Sequence, residues 1–80
     1  MSEQRLVYKG QDITLDVTLK IERIVSLIAE REHLDFDDAY ARFAGSRSYA
    51  ALQNPMTLMW AESAEYIADC WERECADDLA

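Results

Sequence analysis

The sequence predicts an all-α fold, a small orthogonal bundle of three to five helices behind a short extended or disordered N-terminal arm. Three observations predict it. Apolar residues in 17–34 recur at the helical period. Capping residues stand at the start of each later apolar run. The turn between the first two periodic segments is only two or three residues, as in a helical hairpin. A chain of this length makes one domain, taken as residues 1–80 with an arm over 1–14 and a frayed tail over 76–80.

Residues 1–12 are polar, with Leu6 and Tyr8 alternating with polar neighbours, and Gly10-Gln11-Asp12 can turn the chain. Ile13, Leu15, Val17 and Leu19 then alternate as well. That is a strand–turn–strand pattern, but an isolated two-stranded hairpin is marginal in water. From Val17 the same residues also satisfy the helical period. The expectation is an arm to about Thr14 and a helix from about Asp16. A hairpin within 5–19, or a lone strand pairing with another subunit, is the alternative.

At 100° per residue the first helix places Val17, Ile21, Ile24, Val25, Leu27, Ile28 and Ala29 on one side. Glu22, Arg23, Ser26 and Glu30 fall on the other. The apolar arc spans about 200°, against the ~100° stripe of an ordinary surface helix. Such a helix is central to its own domain or shared with a partner. It should end near His33-Leu34, where His33 complements the helix dipole.

A second helix follows over 36–44. Asp35 caps it, Asp37 and Asp38 put negative charge on its first turn, and Phe36, Ala39, Tyr40 and Phe43 recur at helical spacing. Gly45 suits a left-handed C-terminal position. The short turn between these helices makes them a helical hairpin. Ser46-Arg47-Ser48 caps a third segment, which Asn54-Pro55 stops. Pro55 also suits the first position of a new helix, with Asn54 as its cap. In the last stretch Trp60, Ala64, Ile67, Trp71 and Cys75 form one line at spacings of four, three, four and four. It is either one helix from Pro55 or a short turn, a break near Ser63 and a helix from there to about Cys75.

The order of these elements resembles a bacterial domain-of-unknown-function family of short all-helical proteins. The matching features are Ile21-Glu22 in an apolar helix, the acid-capped aromatic helix of 35–43, the Tyr-x-x-Leu of 49–52, and the Leu-Met-Trp-x-x-Ser-x-x-Tyr-Ile run of 58–67. The resemblance covers residues 17–73. Some members of that family are encoded beside ADP-ribosyltransferase-like proteins, so the resemblance implies an all-α fold and a partner-binding role of antitoxin type. It assigns no functional residue.

Sixteen acidic residues against eight basic ones leave a formal charge of −8. A polyanion is repelled by such a domain, and the basic residues form no run, so nucleic acid is not the expected partner. No window reaches the ~18 apolar residues of a membrane span, and no leader-like apolar run stands near residue 1, which makes a cytoplasmic setting the expectation. Cys70 and Cys75 lie about 140° apart around a helix, too far round to pair, and the C-x-x-C spacing is absent. His33 has no cysteine at ligand spacing, and the Asp35-x-Asp37-Asp38 run lacks the glycine and the bidentate glutamate of a calcium loop. No glycine-rich phosphate loop exists. No cofactor, metal or catalytic residue is therefore assigned.

Half of the residues are hydrophobic, whereas so short a chain buries only about 60–65% of its unfolded surface. The expected function is a non-enzymatic protein-interaction module that forms a homodimer and accepts a basic protein partner. The expected partner-binding residues are Ile24 and Leu27 on the first helix and Met59, Trp60 and Trp71 near the chain's end. The alternative is a small-molecule-binding or catalytic domain whose pocket is lined by Tyr40, Tyr49, Trp60 and Trp71.

Overall fold

A two-residue turn opens the structure, a computed structural model that describes residues 5–79, with side chains as far as Asp77. Residues 1–4 of the expected arm and Ala80 of the expected tail lie outside the described residues. Strands β1 (Val7–Tyr8) and β2 (Gln11–Asp12) pair antiparallel, Val7 opposite Asp12 and Tyr8 opposite Gln11. Lys9 and Gly10 between them have φ of 50° and 81°. Positive φ at both central positions is what the tightest hairpin turn with the correct twist requires.

The N-terminal segment is therefore not a loose arm running to Thr14. Ile13 N–H donates to the Leu6 carbonyl at 2.8 Å, and Leu6 N–H donates to Thr14 Oγ1 at 2.8 Å. These bonds fasten the hairpin to the start of helix α1 (Thr14–Glu32), and Ile13 is buried in the core. Packing on a helix gives a two-stranded hairpin the support it lacks alone. The helix also begins two residues before the expected Asp16. The Asp12 carboxylate accepts the Thr14 N–H at 2.9 Å, satisfying a donor that the first turn leaves orphaned. Bonds from the Thr14 hydroxyl and N–H, and then the nearby Arg5 charge, hold the Asp12 carboxyl below the usual carboxylate range.

Helix α1 buries Val17, Ile24, Val25 and Ile28, with Ile21, Leu27 and Ala29 half-buried against the same core. The wide apolar arc does not outrun what the chain can cover. The hairpin's Ile13, helix α2 (Phe36–Ala44) and helix α4 (Ala64–Leu79) together enclose it. At its end His33 takes φ 55° and ψ 49°, and the N–H groups of His33 and Leu34 both donate to the Ala29 carbonyl. A left-handed position is costly for a residue with a Cβ. His33→Gly is expected to raise the unfolding free energy by about 0.5–1 kcal/mol, seen as a higher midpoint in a thermal melt followed by circular dichroism.

Helix α2 matches its expected bounds and buries Ala39 and Phe43. Gly45, expected to be left-handed, instead has φ −88°. The helix is closed by Ser46, whose N–H and Oγ both donate to the Phe43 carbonyl, at 3.0 and 2.6 Å. Helix α3 (Arg47–Leu52) starts at Ser46, whose Oγ accepts the Tyr49 N–H. Two 3₁₀ turns follow, Pro55–Thr57 and Met59–Ala61, joined through Leu58 at φ 60°. Asn54 caps the first through Met56 N–H, and Ser63 caps α4 through Tyr66 N–H. The last stretch thus breaks at Ser63, and Trp60 lies outside α4. Helix α4 runs on to Leu79, past the expected end at about Cys75. Cys75 packs against the core and Glu74 is tied to α3, which holds the final turns.

The core gathers Phe43, Ile24, Ile28, Leu52, Ile67 and Trp71 from all four helices, with Phe43 edge-on to Tyr49 at 5.6 Å. Along the α1–α4 seam, basic residues scattered in sequence fall into one row. Lys20 Nζ donates to the Glu62 carbonyl at 2.7 Å, Arg23 meets Glu65 at 3.6 Å, and Arg31 meets Asp69 at 2.8 Å and Glu72 at 3.4 Å. The Asp69 bond, with the charges of both acids, raises the Arg31 guanidinium further above its ordinary range.

Candidate functional site: an outward leucine stripe and its groove

The five expected partner-binding residues do not share a surface. Ile24 is wholly buried and Trp71 is 4% exposed, so both are core residues and neither is available to a partner. Leu27 is half-buried against the core. Met59 lines a shallow depression with Cys70, Arg73 and Glu74. Trp60 is half-buried on another face, with its ring 5.5 Å from that of Tyr8 and its indole N–H donated to the Pro55 carbonyl at 2.9 Å. Of the five, Trp60 alone borders the largest exposed apolar stripe on α1.

That stripe consists of Leu15 and Leu19, 68% and 55% exposed. They are four residues apart, hence neighbours on one helical face. Each lies about 160° around the helix from Val17, so burying Val17 turns both leucines to solvent. In the alternative strand reading of the alternating pattern, Ile13, Leu15, Val17 and Leu19 would share one face. The signal that finds the stripe is the helical wheel extended two residues back to Thr14.

Beside the stripe runs an open groove of about 540 Å³ between α1 and the start of α4. Leu19, Trp60 and Ala64 give it apolar walls, while Asp16, Lys20, Arg23 and Glu65 give it a rim of both charges. The groove holds no histidine or cysteine, and among the described residues no group of three or more His, Cys, Asp or Glu could hold a metal ion.

The four aromatic residues of the expected small-molecule pocket are dispersed. Trp71 is in the core, Trp60 lines the groove just described, and Tyr49 lines a different depression with Arg5, Leu6 and Gln53. Tyr49 is pushed above the ordinary phenol range by burial and then by the neighbouring Tyr40. Cys70 and Cys75 are free thiols, both half-buried, and Arg73 Nη2 donates to Cys70 Sγ at 3.2 Å. Among the described residues no helix is long and apolar enough to cross a membrane.

Compared with known proteins, the chain matches no family model, no curated protein and no solved structure.

Proposed function

We propose that this protein is a non-enzymatic interaction module that self-associates through the outward face of α1. The observation that carries the proposal is the Leu15–Leu19 stripe beside the Trp60 groove, two leucines aimed at solvent from a helix whose other large apolar residues are covered. Exposed apolar surface next to a groove is a common mark of an association site.

The charge pattern supports a second copy as the occupant. Asp16 precedes Arg23 by seven residues, two turns along α1 and on neighbouring faces. A two-fold axis passing between them, near Leu19 and Lys20, sets each Asp16 against the other subunit's Arg23. It also brings the two Leu19 side chains together at the axis, with the two Leu15 side chains about 13 Å apart on either side of it, as an isologous contact allows. Burying four leucines is worth about 6–8 kcal/mol gross at ~1.5–2 kcal/mol each. The cost of immobilising two bodies, at least about 4 kcal/mol, leaves at most about 4 kcal/mol from the leucines, so a micromolar dimer, at about −8 kcal/mol, requires the Trp60 groove to be covered as well.

Sedimentation of the 9.2 kDa chain between about 10 and 300 µM tests this. The expected result is a concentration-dependent dimer that Leu15→Ser/Leu19→Ser weakens at least tenfold. Both residues are exposed, so the variant should melt within a few degrees of the native protein. A native chain that stays monomeric throughout the range overturns the proposal.

A further inference from the structure

A second apolar face stands apart from the leucine stripe, on α2. Phe36 and Tyr40, four residues apart, are 45% and 41% exposed, although aromatic rings of this size contribute most when covered. Tyr40 lies near enough to Tyr49 to help raise its phenol, and Tyr49 opens onto a separate groove of about 550 Å³ lined with Arg5, Leu6 and Gln53. The aromatic ridge is the Phe36–Tyr40 pair itself, on one face of α2.

Its surroundings are acidic. Asp35 and Asp37 flank Phe36 in the chain, and Glu32 is the last residue of α1, four positions before it across the turn between the helices. None of the three makes an ion pair among the described residues. The nearest basic residues along the chain do not neutralise them. Arg31 is committed to Asp69 and Glu72 across the α1–α4 seam. Arg42, two residues after Tyr40, projects about 160° away around the helix.

We propose that the Phe36–Tyr40 ridge and its carboxylates Glu32, Asp35 and Asp37 dock a basic segment of a protein partner, one bearing arginine or lysine. Charge complementarity selects the occupant. A guanidinium or ammonium can lie over the aromatic faces while its N–H groups meet the carboxylates. A polyanion or an anionic lipid surface is repelled by the same acids. This surface does not involve Leu15 or Leu19, so the proposal stands or falls independently of self-association.

The test uses fluorescein-labelled nona-arginine as the probe, titrated by fluorescence anisotropy in 100 mM NaCl against the Leu15→Ser/Leu19→Ser chain. Every protein of charge −8 attracts such a peptide to some degree, so the aromatic substitution decides. Phe36→Ser/Tyr40→Ser leaves the charge unchanged and is expected to weaken binding fivefold or more. Glu22→Gln/Glu65→Gln, which removes two charges elsewhere, is expected to weaken it by less than twofold. Amide shifts in the unsubstituted chain give a readout that does not depend on the variants folding. They should centre on residues 32–41 when unlabelled peptide is added. Loss of less than fivefold in the aromatic variant, or shifts centred elsewhere, overturns the proposal and leaves only net-charge attraction.

Discussion

Ile24→Ala is expected to lower the unfolding free energy by about 2–5 kcal/mol, and Trp71→Ala by about 3–5 kcal/mol. Both side chains are enclosed by the core, and neither site has the freedom to collapse around a large deletion, because four helices meet there. A domain of 80 residues has roughly 4–12 kcal/mol of stability in all. Either substitution therefore brings the chain near its unfolding threshold at 37 °C. Urea unfolding followed by tryptophan fluorescence measures the loss for Ile24→Ala. Far-UV circular dichroism serves for Trp71→Ala, which removes a reporter. If either variant kept its midpoint while dimerisation disappeared, that residue would be an interface contact and the assignment of the core would be wrong.

Glu74→Ala is expected to cost about 2–3 kcal/mol, large for a residue on the polar side of a helix. The Glu74 side chain is 11% exposed and reaches from α4 to the start of α3. It accepts the Arg47 N–H at 2.8 Å, the Ser48 N–H at 2.9 Å and the Ser48 hydroxyl at 2.9 Å. These are donors that a six-residue helix cannot satisfy internally. Burial alone would push this carboxyl up. The bonds from the Arg47 and Ser48 N–H groups and the Ser48 hydroxyl, together with the Arg47 charge, outweigh burial and leave it below its ordinary value.

The pH dependence follows from that direction. A carboxyl whose folded pKa lies below its unfolded one stabilises the fold fully above the unfolded value, near 4.5. The contribution shrinks as pH falls through the folded value. The stability gap between the native chain and Glu74→Gln should therefore be constant from pH 7 to about pH 5.5 and narrow on further acidification. A gap that widened towards low pH would contradict the capping role.

Much of the architecture was legible because its signals are local. Ser46, Asn54-Pro55 and Ser63 each mark a helix start, since a cap or a fixed φ acts on the next three residues whatever the rest of the chain does, whereas Asp35 stands at the start of α2 without the side-chain capping bond expected of it. The candidate site was less legible. Trp60 was found from its residue type and Met59 was placed beside it, but the two neighbours in sequence open onto different faces. Ile24 and Trp71 were chosen because they are large and apolar. Size and apolarity describe a core residue and an interface residue equally well. Leu15 and Leu19 are absent from the expected set because the helix was expected from about Asp16 and its apolar face was read from Val17 onward, leaving the opposite pair out.

By itself, then, the sequence determined that this is a helical chain with a central apolar helix, where its later helices start, and that its surface is acidic. Those properties depend on composition and on interactions within a turn or two. Tertiary structure alone decided the rest. The bonds among Leu6, Asp12, Ile13 and Thr14 turned an ambiguous alternating run into a hairpin followed by a helix. The partners that close over Ile24, Ile28 and Trp71 decided which apolar residues are spent on the core, leaving Leu15, Leu19, Phe36 and Tyr40 outside. The physical reason is that burial belongs to a pair of surfaces, and one strand of sequence describes only one member of each pair.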